Sequence, residues 1–345
     1  MLGVRQLIIL VDAMGGDNAP EALVNGCIDA VNEADGFDIL LLGDSARINE
    51  ILKERNYTGS RLKIHNTTEI INNDDVPLKA IKSKKDSSMV VGFKMLKEGK
   101  GDVFISAGNS GALLAGSTLI LDRLPQVSRP AIAALVPTKK GTALIIDAGA
   151  NTNCKPVNYL QFAIMGSIYI KELLGIEKPK IGLLNVGSEE IKGNANIKNA
   201  YALLSKANIN FIGNVEGKDL PEGNVDVLVC DGFMGNVILK FYEGSADFFL
   251  SSLKNIFMSN VLTKAAALII KKELKKLLKT LDEDSNGGAP ILGVNGLVIK
   301  THGNSNSKTV KNVVLKAKKL AQASFAEQIR TAFENLEDKE SSNVK

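Results

Sequence analysis

Tryptophan is absent, and aromatic residues make up only 5% of the 345-residue chain. So few π faces argue against a platform on which nucleic-acid bases stack. Two histidines, and three cysteines (Cys27, Cys154, Cys230) that stand far apart with no CxxC, form no metal-ligand constellation. An odd, scattered cysteine set also speaks against a disulfide framework and fits a reducing compartment. The net charge of +4 is too small by itself to mark a nucleic-acid binder. No signal h-region or membrane span is present, so a cytoplasmic protein, at most peripheral to a membrane, is expected. Three motifs are missing as well: GxxxxGK followed by Ser or Thr, a GxGxxG after the first strand, and the GxSxG elbow. A P-loop ATPase, a standard Rossmann dehydrogenase and an elbow-type serine nucleophile are thereby disfavoured. Neither a metal nor a cofactor is expected.

The chain does have seven short apolar runs that each stop at a cluster of Gly, Asn, Ser or Asp. They are Leu7–Val11, Ile39–Leu42, Val103–Ile105, Ala143–Ile146, Ile181–Leu184, Val225–Val229 and Leu297–Ile299. A short β-branched run, a Gly-rich break and then a helical pattern reads as strand, turn and helix of an α/β protein with a mostly parallel sheet. Ligands of such sheets bind at the carboxyl ends of the strands. Helices are expected at Ala19–Glu33, from Ser87-Ser88 through Leu96, and over Gly111–Leu121, Pro156–Leu174 and Ala195–Lys206. No Pro/Ser/Gly-rich linker divides the chain, so one α/β body over residues 1–335 is expected, with a polar, disordered tail at 336–345. A helical hairpin is inserted at about residues 245–284. There Leu274, Leu277, Leu278 and Leu281 keep helical spacing, and Lys271, Lys272, Lys275, Lys276 and Lys279 fall largely on other faces. This is either a solvated amphipathic helix on the body or a protruding hairpin that touches anionic lipid.

Gly-rich turns that open helices present backbone N–H groups and a positive dipole end, which suits phosphate. The best such loop is Ser106-Ala107-Gly108-Asn109-Ser110-Gly111, and the second is Asn185-Val186-Gly187-Ser188-Glu189 with Lys192-Gly193-Asn194. Each loop taken alone could equally be a plain strand–helix turn. Ser110 and Ser188 have no histidine near them in sequence. Cys230, beside Asp231, reads as a buried structural thiol because no basic partner is evident. His302, in Thr301-His302-Gly303-Asn304-Ser305, is the better general acid/base candidate. His65 reads as an ordinary strand residue.

These loops resemble those of the bacterial phosphate acyltransferases of phospholipid synthesis, the acyl-acyl-carrier-protein:phosphate transacylase family. The resemblance begins with Val11-Asp12-Ala13-Met14-Gly15-Gly16-Asp17-Asn18-Ala19-Pro20. It continues through Lys84–Met89, Ser106–Ala112, Arg129-Pro130-Ala131, Asp147–Asn151 and Asn185–Gly193, then Asp231–Val237, Gly287–Gly293 and His302–Ser305. It implies a homodimer of three-layer α/β/α sandwiches, similar in fold to phosphotransacetylases and to isocitrate/isopropylmalate dehydrogenases. It also implies transfer of a long acyl chain from acyl carrier protein to inorganic phosphate. The acyl-phosphate would feed the next acyltransferase at the membrane, with peripheral membrane contact through the apolar hairpin and no role for nucleic acid.

On that basis phosphate is expected against the amides of Gly108–Gly111 and Gly187–Ser188, with charge from Lys192 or Lys300. The substrate-binding set is Asp12, Gly15, Gly16, Asn18, Ser106, Gly108, Asn109, Ser110, Gly111, Asn151, Asn185, Gly187, Ser188, Lys300, Gly303, Asn304 and Ser305. Asp231, Asn236, His302 and Lys192 form the catalytic set. Asn236 stands near where phosphotransacetylases carry an acidic residue, so the base is left open among these. Phosphate is already anionic at neutral pH, so direct attack on the thioester needs no covalent enzyme intermediate. Lys82, Lys84, Lys85 and the 271–279 face could steer an acidic carrier protein. The rivals are a short-chain phosphotransacetylase using acyl-coenzyme A, a metal- and nucleotide-dependent hydroxy-acid dehydrogenase, and a non-catalytic phosphate-binding scaffold.

Overall fold

A computed structural model describes residues 6–272 and 288–342. The chain packs as two compact units even though no linker composition marks a boundary. The first takes in the described residues up to Ala133, Ile164–Lys178 and those from 288 on. The second takes in Ala134–Ala163 and the described residues from Pro179 to 272.

In the first unit the strands lie in the order β3 (Leu62–Asn66), β2 (Phe37–Gly43), β1 (Leu7–Asp12), β4 (Val103–Ser106), β11 (Leu297–Lys300), β10 (Ala289–Leu292), β5 (Ala131–Thr138). All pairs from β3 to β11 are parallel, and β10 runs antiparallel to both its neighbours. Successive side chains of a strand point to opposite faces, so each central strand feeds two cores. Leu10, Leu42, Phe104 and Val298 pack with Val90, Phe93 and Leu113 of helices α4 (Ser88–Lys97) and α5 (Ser110–Leu119). α1 (Glu21–Glu33) packs instead on the helix Ser307–Gln322, the backbone of Gly26 lying against Val310. Gly92 and Gly116 admit the rings of Phe104 and Phe93, which meet edge to face at 5.0 Å.

In the second unit β6 (Gly141–Ile146), β9 (Val227–Val229), β7 (Ile181–Leu184) and β8 (Phe211–Val215) pair in parallel in that order. β5 begins in the first unit and ends in the second. α6 (Pro156–Leu174) and α7 (Ala195–Lys206) occupy the expected spans.

α9 runs unbroken from Gly232 to Met258. Residues 261–272 are helical after a short break. The rest of the leucine–lysine pattern, from Leu274 to Leu281 with Lys275, Lys276 and Lys279, lies outside the described residues. Among the described residues no helix is long and apolar enough to cross a membrane. The helix Phe325–Ser342 enters the stretch read as a tail; Phe325, Ile329 and Phe333, spaced by one helical turn and buried, anchor it.

Candidate active site

The first unit gathers three loops at the carboxyl ends of β1, β4 and β11. Asp12, the last residue of β1, is buried; Ser106 Oγ donates to its Oδ2 at 2.6 Å and the Met14 N–H donates to its Oδ1 at 3.2 Å. The Gly108 N–H donates in turn to Ser106 Oγ at 3.0 Å. Burial pushes the Asp12 carboxyl above the ordinary carboxylate value, opposed by hydrogen bonds from Ser106, Ser88, Met14 and Gly15. A side-chain carbon at Gly15 would stand 2.5 Å from Asp12 Oδ2 and 2.8 Å from the Gly108 nitrogen, so only glycine lets these loops close. A side-chain carbon at Gly16, whose φ is +105°, would stand 2.9 Å from the Gly303 carbonyl oxygen, which accepts from the Asp17 N–H at 2.8 Å. Asn18 Nδ2 donates to the carbonyls of Asn304 and Ser305 at 3.0 and 3.2 Å. The β1 and β11 loops are thereby tied to each other beside Ala107 and Gly108 of the β4 loop.

Asn109 does two jobs there. Its Oδ1 accepts the Ala112 N–H at 2.9 Å, capping α5, and its Nδ2 reaches the carbonyls of Asn72, Asn73 and Asp75. The Gly108 and Ala112 amides are therefore engaged within the loop. Ser110 and Gly111 are exposed and begin the helix, whose first N–H groups have no intrahelical acceptor. His302 is exposed, and its Nδ1 accepts the Asn304 N–H at 3.4 Å. Ser305 Oγ donates to the His302 carbonyl at 2.6 Å and pairs with Thr301 Oγ1 at 2.8 Å. Lys300 ends β11 in register with Ser106. Among the lysines read as a carrier rim, Lys84 is held by Asp75 at 2.5 Å, whereas Lys82 and Lys85 are exposed.

The second unit has its own strand-end cluster around Asp147, a residue the sequence reading placed in a motif without giving it a role. Its carboxylate is fully buried and accepts from the backbone amides of Gly149, Ala150 and Asn151 and from Asn151 Nδ2, at 2.7 to 3.1 Å. The Asn151 carbonyl accepts the Gly232 N–H at 2.7 Å, and Gly235 leaves room for the Asp147 carbonyl. The start of α9 is thereby pressed onto the β6 loop, with Asp231 as its cap, accepting the Met234 N–H at 2.9 Å. Tyr159 OH donates to Asp231 Oδ2 at 3.4 Å; burial first, and the nearby carboxylate second, raise its pKa. Asn236 is exposed one turn along, beside Gly149. Cys230 is buried, and its thiol is pushed well above its ordinary value by burial and by Asp147.

The β7 loop is more open. Asn185 brackets it, accepting the Val186 N–H at 2.8 Å and donating to the Lys192 carbonyl at 3.1 Å. Ser188 is exposed, while the Glu189 carboxylate lies against Gly187. Lys192 Nζ stands 4.0 Å from Glu189 and is about half exposed. Among the described residues no three His, Cys, Asp or Glu side chains gather as a metal site.

Residues 7–328 match the family model described as "Fatty acid synthesis protein". A relative from Acetivibrio thermocellus named "Phosphate acyltransferase" is 64% identical over 331 residues, which is 96% of this chain and 98% of the relative. Another so named, from Halothermothrix orenii, is 47% identical over 90% of this chain and 93% of its own length. Among solved structures, a phosphotransacetylase from Streptococcus pyogenes superposes with a TM-score of 0.62 at 14% identity, covering 92% of this chain and 95% of that one. The EutD phosphotransacetylase from Staphylococcus aureus does so with a TM-score of 0.58 at 16% identity, covering 92% and 94%. At such identities these two speak for the fold, an α/β fold of the phosphotransacetylase kind. The family match over nearly the whole chain is decisive: this chain belongs to the phosphate acyltransferase family of fatty acid synthesis proteins.

Proposed function

We propose that the protein transfers a long acyl group from the thioester of an acyl carrier protein to inorganic phosphate. The observation that carries this reading is near-full-length similarity to relatives named for phosphate acyl transfer, together with strand-end loops built around buried carboxylates. A phosphate oxygen attacks the thioester carbonyl carbon, the C–S bond breaks, and the leaving thiolate takes up a proton. Acyl-phosphate and free carrier protein are the products, and no covalent acyl-enzyme is formed.

Backbone amides at Ser110 and Gly111, with Gly303, Asn304 and Ser305 of the same unit, suit the phosphate, and Lys300 supplies charge. Loss of one well-placed oxyanion donor typically costs about 3–4 kcal/mol of barrier. His302 is the group proposed to orient phosphate or protonate the thiolate. α9 leaves Phe241, Phe248, Phe249 and Ile256 largely exposed, and Leu262 and Ile269 of residues 261–272 are more than 80% exposed. So much exposed apolar surface is the mark of an interaction face. We assign it to homodimer formation and to peripheral contact with the membrane, where the downstream acyltransferase consumes the product.

The fold also favours a second reading, a short-chain phosphotransacetylase acting on acyl-coenzyme A. Trapping the product with hydroxylamine as a hydroxamate separates the two. Long-chain acyl carrier protein should give hydroxamate in a phosphate-dependent way, and acetyl-coenzyme A should not; the opposite preference overturns the long-chain assignment. Asn109→Ala should lower kcat/KM about 100-fold or more if the β4 loop binds the reacting anion, with the fold intact by circular dichroism.

A further inference from the structure

A cavity of about 310 Å³ opens beside the β1 loop of the first unit, lined by Met14, Asp44, Arg47, Asn66, Thr67, Thr68 and Ile70. Its size is at the small end of ligand pockets, and it lies at the carboxyl ends of β2 and β3, where ligands of parallel sheets bind. Most of its polar groups are engaged. Asp44 Oδ1 caps α2 (Ser45–Glu54), Asn66 Oδ1 accepts the Ser45 N–H at 2.9 Å, and Thr68 gives both its N–H and its hydroxyl to Asp86. Two groups are not. Thr67 is 4% exposed and its hydroxyl has no hydrogen-bond partner, although its N–H donates to the Gly43 carbonyl at 3.0 Å. The Arg47 guanidinium, on the exposed face of α2, has no ion pair or hydrogen bond among the described residues.

A buried hydroxyl without a partner is costly unless a ligand completes it. The chemistry of the walls defines that ligand. Met14 and Ile70 offer apolar contact, the Thr67 hydroxyl offers a donor and acceptor, and the Asp44 carboxylate offers an acceptor for N–H or O–H groups. Arg47 at the rim offers a fork for a phosphate ester. A bare phosphate ion would meet the Asp44 carboxylate. A chain of amides and methyl groups ending in a phosphate ester satisfies every wall. From these groups we infer that this cavity holds the phosphopantetheine arm of the carrier protein, Arg47 meeting its phosphodiester and Thr67 an amide. Met14 belongs to the same turn as Asp12, whose Oδ1 accepts its N–H, so an arm held here lies against the loop that closes on Gly108. The inference rests on the carrier-dependent reading above and adds to it a specific seat for the donor.

Calorimetric titration of the full chain with 4′-phosphopantetheine and with dephosphorylated pantetheine tests it without turnover. The phosphorylated probe should bind about tenfold more tightly than pantetheine, as expected of a charge-assisted contact, and Arg47→Ala should abolish that difference. Thr67→Val should weaken both probes by the same factor. Holo-carrier protein should displace the bound probe, and inorganic phosphate at equal concentration should not. A phosphate preference that survives Arg47→Ala, displacement by inorganic phosphate, or displacement by coenzyme A but not by holo-carrier would each overturn the assignment. Should wild-type protein bind the probes as described and yet form no acyl-phosphate, the function above fails while the seat stands.

Discussion

Asp12 sits where burial and hydrogen bonding pull in opposite directions, and burial prevails. A carboxyl whose native pKa is raised holds its proton more firmly in the folded state than in the unfolded one. Its contribution to stability is therefore fully present below the ordinary carboxylate range and is lost as pH rises through the raised native value. Asp12→Asn cannot ionise, so it should gain stability relative to wild type as pH rises across that window. Urea unfolding at a series of pH values reads this directly, and parallel pH profiles for the two proteins would contradict it. Ser106→Ala removes the donor at 2.6 Å from a buried carboxylate and should cost about 1–3 kcal/mol by the same measurement. These residues could be picked from the sequence because Asp12 and Ser106 each end a strand run just before a Gly-containing turn. Their pairing across 94 positions could not, since nothing local encodes it. Asp147 escaped assignment for the same reason: its partners are the amides of its own loop, and a sequence does not show which way those amides turn.

At the level of elements, the seven apolar runs all appear as strands, and α6 and α7 match their expected spans. What escaped was of a different kind. β8 and β10 lie outside those runs, and β10 owes its antiparallel place to pairing with β5 and β11, a tertiary matter. The start of α9 depends on small residues in a way that can be tested. At Gly235 a methyl group would collide with the Asp147 carbonyl, whereas Gly149, at φ +139°, has no contact closer than 3.5 Å. Gly235→Ala should therefore destabilise through overpacking by about 1–3 kcal/mol, and Gly149→Ala through backbone strain of similar size. In a double mutant the two effects should couple, because both act on the α9–β6 loop contact. Additivity within error in thermal unfolding would contradict a shared contact.

On the scale of the whole molecule, the apolar face of α9 and of residues 261–272 is left exposed among the described residues. If it serves a lipid surface, Leu262→Glu combined with Ile269→Glu should release the protein from sedimenting vesicles containing anionic lipid, with the thermal midpoint unchanged. Retention on vesicles would place the contact elsewhere. In the proposed reaction phosphate itself attacks the thioester, and the protein never carries the acyl group. A single-turnover reaction with labelled acyl carrier protein, quenched at intervals with and without phosphate, measures this most directly. With phosphate, label should pass from carrier to acyl-phosphate; without it, label should stay on the carrier. Label bound covalently to the enzyme, or carrier discharged in the absence of phosphate, would contradict the account.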